Sequence, residues 1–172
     1  RGKLEKSTAF ALASVAGTIS KLSADICLYM SQNFNFLGFP KELTTGSSIM
    51  PHKKNPDVFE VMRAKCNQLQ NLPSEIMMIT NNLTSGYHRD FQLLKGNLMD
   101  GIDTMKDNLE VCNFMLQHII IKENILDNDI YDYMYSVEEV NKLVMNGMNF
   151  RDAYKKLGTE IMANKFSPEK KV

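Results

Sequence analysis

Residues 12–29 read LASVAGTISKLSADICLY. Leu12, Val15, Ile19, Leu22, Ile26 and Tyr29 step along it by three and four, the spacing of a heptad seam. Ala9, Ala13, Ala16 and Gly17 add small side chains beside that seam. Small side chains let a neighbouring helix come close. The spacing therefore predicts a helix from about residue 4 to residue 32, long and buried on more than one side. Such a helix suits a bundle core or a subunit interface better than a solvated surface.

Outward from this stretch the same texture returns twice. Asn33 to Thr45, with Phe34, Phe36, Phe39 and Pro40, reads as an aromatic, non-helical connector. A second helix is predicted from about 56 to 82, striped by Val58, Met62, Cys66, Leu69, Leu72, Ile76, Ile79 and Leu83. Pro73 lies inside it and should kink or split it. A third is predicted from Asp90 to about His118, carrying Phe91, Leu94, Leu98, Ile102, Met105, Leu109, Cys112 and Leu116. Helices of roughly 27 to 30 residues are about 40 Å long, well beyond the average helix of about a dozen residues. Such lengths imply an elongated bundle that assembles with copies of itself.

After residue 122 the texture changes. Asn124 to Asp129 is a polar turn, and Ser136-Val137-Glu138-Glu139 reads as a capping box before a short helix closed by Gly147. Phe150 to Met162 forms another helix, and the charged tail from Lys165 to Val172 reads as frayed. The fold class is all-α, with no alternating strand pattern. Residues 1–122 are read as part of a central long-helix bundle and residues 123–172 as a small C-terminal helical domain. The opening Arg1-Gly2-Lys3-Leu4-Glu5 lacks a cap signal, so the chain reads as a piece beginning inside a helix.

Lys plus Arg and Asp plus Glu stand at 20 each across 172 residues, so no basic excess points to nucleic acid. No uninterrupted apolar run reaches the roughly 18 to 20 residues that cross a bilayer, and no signal peptide is visible. The reading is a soluble protein without a membrane partner. Cys27, Cys66 and Cys112 are odd in number, fall on apolar helical faces and lack metal-ligand spacing. They read as buried free thiols in a reducing, cytoplasmic setting, with no metal and no cofactor.

The most chemical segment is Gly46-Ser47-Ser48-Ile49-Met50-Pro51-His52-Lys53-Lys54-Asn55-Pro56-Asp57. Asn55 looks like an N-cap, with Pro56 at the first and Asp57 at the second helical position. A helix N-terminus offers unpaired amides and partial positive charge, so it favours anions. Lys53 and Lys54 add full charges, and Ser47 and Ser48 offer hydroxyls on a glycine-preceded loop. The sum is a carboxylate or phosphate site beside an oxygen able to carry a proton. An ordinary linker with solvated lysines is the competing reading.

The segment resembles the signature of the fumarase, aspartase and argininosuccinate lyase superfamily. That signature is Gly-Ser-Ser, a variable residue, Met-Pro, a variable residue, Lys, a variable residue and Asn. The extension Lys53-Lys54-Asn55-Pro56-Asp57, with Glu60 and Arg63 on the next turn, looks most like the argininosuccinate lyases. Fumarases usually carry Lys-Val-Asn there and adenylosuccinate lyases Lys-Arg-Asn. Leu12 to Met30 is similar to the family's long helix before the loop. Tyr87-His88-Arg89-Asp90-Phe91-Gln92 and the Gly147 to Gly158 stretch, with Phe150-Arg151 and Ala153, resemble two further family segments. The resemblance covers nearly the whole chain, while the family member is far longer and roughly its first half has no counterpart here.

The resemblance implies a homotetramer with sites built from several subunits. It implies an elimination that releases fumarate through a carbanion held as an aci-carboxylate; from argininosuccinate the other product is arginine. It assigns Ser47 as the proton-abstracting base, Lys53 as its electrostatic helper, and Gly46 as a hinge for loop closure. It assigns Ser48, Met50 and Asn55 to substrate binding, with Lys53 and Asn55 on the substrate carboxylate, and Tyr87, Gln92 and Lys95 on the arginine half. Glu60 is read as structural, paired with a lysine near the site. None of His52, His88 and His118 matches the family's general acid, which lies in the absent portion. Two departures stand out: Gln92-Leu93-Leu94-Lys95 replaces the usual Gln-Glu-Asp-Lys, and His52 replaces a glutamine. A sister lyase, or a helical assembly protein without catalysis, remains an alternative.

Overall fold

The computed structural model describes residues 2–50 and 52–169. Arg1, Pro51 of the signature segment and the last residues of the tail, 170–172, lie outside the described residues. The chain divides into two compact units, one ending at Lys122 and the other starting at Glu123.

In the first unit, α1 (Lys3–Tyr29) packs on α2 (Asp57–Leu69), α3 (Leu72–Ile79) and α4 (Leu93–Leu116). Its buried line is Ala9, Ala16, Ile19, Ser23 and Ile26, so small residues take much of the buried face. Val15 of the expected seam is 43% exposed. The physical reason is distance: helix axes approach closely only where side chains are short, so the face with Ala16 and Ser23 turns inward. Buried Ser23 satisfies its hydroxyl by donating to the Ile19 carbonyl at 2.8 Å. By length and apolar content α1 also meets the requirement for crossing a bilayer, which the lack of an unbroken apolar run did not anticipate. Its packing against three helices buries 22% of that apolar stretch.

α1 stops at Tyr29, short of residue 32, because the connector folds back on it. Phe36 donates its amide to the Tyr29 carbonyl at 3.0 Å, and Tyr29, Phe34 and Phe36 form a ring cluster with centroids 5.3 to 6.0 Å apart. The predicted 56–82 helix is two helices. Pro73 lies in the first turn of α3, where its missing N–H removes no helical hydrogen bond. The third predicted helix starts later than Asp90, since Arg89–Gln92 forms a 3-10 turn and the α-helix begins at Leu93. At Gly101 of α4 a Cβ would sit 2.6 Å from a terminal methyl of Leu72, so the missing side chain lets α4 cross α3 closely.

Two hydrophobic clusters hold this unit. Ile19, Ile26, Phe39, Phe59, Met62 and Met115 belong to one, and Ala9, Leu72, Ile76 and Leu94 to the other. A short antiparallel pair, β1 (Leu37–Gly38) with β2 (Ile120–Ile121), joins the connector to the chain after α4. It is too short to leave an alternating pattern and does not alter the all-α class.

In the second unit α5 (Ser136–Met145) and α6 (Phe150–Met162) form a helical hairpin around Val140, Ala153 and Leu157. The expected capping box does not form: a 3-10 stretch, Asp129–Tyr135, runs straight into α5, so Ser136 is already helical. Glu139 instead accepts from Lys142 at 2.6 Å. Gly147, with φ of 94°, closes α5, and the Asn149 side chain caps α6 by accepting from the Asp152 amide at 3.0 Å.

Candidate functional site

The signature loop leaves and rejoins the bundle at a neck made of three hydrogen bonds. The Asn55 amide donates to the Thr45 carbonyl at 2.9 Å, and the Asn55 side-chain amide donates to the Gly46 carbonyl at 3.1 Å. The Thr45 hydroxyl donates to the Asp57 carboxylate. Asn55 is therefore not the N-cap: Pro56 occupies that position with ψ of 45°, without a side-chain cap, and Asp57 is the first helical residue. The amides of Phe59 and Glu60 are taken by the Pro56 carbonyl. The chain's own Asp57 carboxylate sits at the positive end of α2, where negative charge is favoured. The helix start is thus already compensated, and positive charge for a ligand falls to the lysines.

Ser47 is half-buried, and its Oγ accepts from the backbone amides of Ile49 at 3.2 Å and Met50 at 3.1 Å. Two N–H dipoles aimed at one hydroxyl oxygen stabilise negative charge on it, which is what a serine needs to act as a base. Ser48 is exposed and Ile49 is 86% exposed.

Beside the loop is a cleft of about 710 Å³. Met50, His52, Lys53, Lys54 and Asn55 form one wall, and Cys27, Met30, Ser31, Gln32 and Asn35 at the end of α1 form another. Lys122, Ile120 and Glu60 complete it. The lining carries His52 and three lysines against one carboxylate, so it favours anions. Ser47 and Ser48 are not among its lining residues. Lys122 was not legible in advance: it reaches the cleft through the β1–β2 pair, where its amide donates to the Phe36 carbonyl at 2.9 Å. Glu60 is exposed and, among the described residues, is in no ion pair, so the anticipated lysine partner is not there.

The structure does not bring Tyr87, Gln92 and Lys95 to this cleft. They belong to the turn before α4 and its first turn. Phe91 of that turn packs against Gly2 at the start of α1, whereas the cleft adjoins Cys27 and Met30 at its end. The 27 residues of α1, about 40 Å of helix, lie between. All three side chains are exposed. Of the altered pair, Leu93 is 67% exposed, whereas Leu94 is fully buried in the second cluster. His88 lies beside Thr84, its Nε2 2.9 Å from that residue's carbonyl, and His118 donates from Nδ1 to the Phe114 carbonyl at 2.8 Å.

The cysteines are free thiols, with Cys66 and Cys112 buried and Cys27 half-buried at the cleft. Burial pushes the Cys27 thiol pKa up, while Arg63 pulls it down and Glu60 pushes it up. Burial also raises Cys66 and Cys112, with Cys112 adding to the effect on Cys66. Raised thiols are poor nucleophiles, so none is chemically poised.

Comparison with known proteins places the chain among lyases. A family model described as "Lyase" matches residues 6–70. The argininosuccinate lyase of Bacteroides thetaiotaomicron is 57% identical over all 172 residues, which are 39% of its length. That of Parabacteroides distasonis is 54% identical over the whole chain, again 39% of its length. The Thermotoga neapolitana argininosuccinate lyase is 34% identical over 99% of the chain and 42% of its own length. A solved structure, the 3-carboxy-cis,cis-muconate lactonizing enzyme of Pseudomonas putida, aligns with a TM-score of 0.69 at 19% identity. It covers 91% of this chain and 36% of that one, and shares the fold. The chain spans about two fifths of the length of the curated relatives it matches. Over its whole length the chain is similar to argininosuccinate lyases at 54–57% identity, and its residues 6–70 match the lyase family model.

Proposed function

We propose that the protein containing this chain is a lyase that splits argininosuccinate into fumarate and arginine. Ser47, as its alkoxide, removes a proton from the carbon next to a substrate carboxylate. The C–H electron pair moves into that carboxylate as an aci form, then returns as the new C=C bond while the C–N bond breaks. The leaving nitrogen keeps the C–N pair and takes a proton from an acid outside this chain. Lys53, with Asn55, Ser48 and Met50, holds the succinyl half, and Tyr87, Gln92 and Lys95 hold the arginine half. The single observation carrying this reading is the pair of backbone amides donating to Ser47 Oγ, beside a lysine-lined cleft.

Burial of Leu94 supports the argininosuccinate reading over a sister lyase. One of the two altered positions is a core position, so only Leu93 changes the surface a guanidinium would meet. The protein works as a homotetramer. The separation of the two residue groups along α1 supports a site shared between copies, and exposed Phe10, Val15, Leu109 and Phe114 supply apolar surface for assembly. Free cysteines support a cytoplasmic location. Residues 1–122 contribute the loop as part of the central bundle, and residues 123–172 form a small C-terminal domain.

The test is to supply argininosuccinate to the full-length protein and follow fumarate absorbance. Release of fumarate with equal arginine is expected. No release from argininosuccinate, with turnover of another aspartyl adduct, would move the protein to a sister activity. The 172-residue segment alone is expected to show little or no turnover, and near full-length rates from it would refute the shared-site reading.

A further inference from the structure

We infer that Thr45 and Asp57 are positioning residues that hold the neck of the Ser47 loop and thereby aim its hydroxyl. The inference rests on Ser47 as the base. Neither residue is among those assigned to the substrate, and neither lines the cleft. The Thr45 hydroxyl donates to the Asp57 carboxylate, a charge-assisted bond across the loop's two stems. Asp57 is the first residue of α2, whose Phe59 and Met62 are buried in the core. One stem is therefore rigid, and the Thr45–Asp57 bond transfers that rigidity to the other. Gly46, which has no atom within 4 Å of where a Cβ would be, follows Thr45 directly and imposes no steric order of its own. Ser47 is the next residue, and its two amide donors come from Ile49 and Met50 inside the same loop. Without the bond, the hydrogen bonds left between the two stems among the described residues are the two from the backbone and side-chain amides of Asn55. Asn55 could then not turn its amide to a substrate carboxylate without further loosening the neck.

This sets a division of labour. Ser47 and Lys53 act on the substrate, while Thr45 and Asp57 act on Ser47. A misplacement of about 1 Å in a catalytic group costs up to about 100-fold in rate. Loss of the latch should therefore appear in kcat rather than KM.

The experiment uses the full-length protein with Thr45→Val, Thr45→Ser, Asp57→Ala and Asp57→Asn. Val keeps the branched shape and removes the donor; Asn keeps an acceptor oxygen. Thr45→Val and Asp57→Ala are expected to lower kcat for argininosuccinate by about 10- to 100-fold with KM little changed. Thr45→Ser and Asp57→Asn should restore most of the rate. Amide hydrogen exchange over residues 46–50 and 52–54 should quicken in Thr45→Val, with α2 and α4 and the thermal midpoint unchanged. Wild-type kcat in both Thr45→Val and Asp57→Ala, or faster loop exchange with unchanged kcat, overturns the positioning role. Failure of Thr45→Ser to recover the rate does the same. If the unmodified protein releases no fumarate, the lyase reading fails separately, and unchanged loop exchange in Thr45→Val then refutes the latch itself.

Discussion

At one end of α1 the chain gathers a serine with two amide donors, three lysines and a cleft; at the other it presents Tyr87, Gln92 and Lys95 on an exposed turn. Both ends are fastened to cores, the first through Phe39 and Phe59 and the second through Ile76 and Leu94. Yet they differ in kind. The first adjoins a cleft lined by lysines, and the second is exposed. A rigid helix about 40 Å long separates them, so no single small substrate can touch both in one chain. Under the proposed shared site, an oligomer would bring the end of one copy to the start of another.

Four measurements probe that contrast. The largest effect belongs to Ser47→Ala in the full-length protein, where loss of the base should cut turnover by about 100- to 10,000-fold with oligomer size and thermal midpoint unchanged. Retained turnover would remove Ser47 from its role. Next comes mixing. Ser47→Ala subunits assembled with Lys95→Ala subunits should regain activity that neither variant has alone, because some shared sites receive both intact ends. No recovery in verified mixed oligomers would mean that the two ends do not serve one site.

Packing variants come third. Phe59 is fully buried and stacks near Phe39 with ring centroids 5.3 Å apart. Phe59→Ala should cost about 3–5 kcal/mol and Leu94→Ala about 2–5 kcal/mol by chemical denaturation. Costs well under 1 kcal/mol at both would show that the ends are not anchored as described.

The smallest effect is in the thiols. Cys66 and Cys112 have folded pKa values raised above 9.0 by burial. In the unfolded chain they ionise first, so their contribution is complete below about pH 9 and fades as pH rises through the folded values. Lys142, raised by hydrogen bonds to Glu139 and Glu169, loses its contribution in the same direction at higher pH, through and above 10.5. A modest fall in stability above pH 9 is expected, with a thiol reagent reaching half-buried Cys27 before the buried pair. Equal labelling rates at all three would contradict the burial.

Helix content was written plainly in the chain, because a three-four step of apolar residues is a local property and each helix carries its own. Pro73 announced a break for the same reason: a missing N–H is felt within one turn. The Gly46–Asp57 segment was legible as a motif, and so were its lysines. What stayed hidden depends on partners distant in the chain. Only packing turned the small face of α1 inward and left Val15 outside, since two helices must meet before closeness has value. Lys122 reached the cleft through a strand pair too short to leave a pattern, and the Thr45–Asp57 bond crossed a loop whose ends no periodicity links. Asn55 had every mark of a cap, yet the neck drew its side chain to Gly46 and left Asp57 to compensate the helix. Residue types and their spacing determined which elements form and which chemistry the chain can offer. Tertiary structure alone decided which groups face one another, because that choice minimises exposed apolar surface and unpaired polar atoms over the whole chain at once.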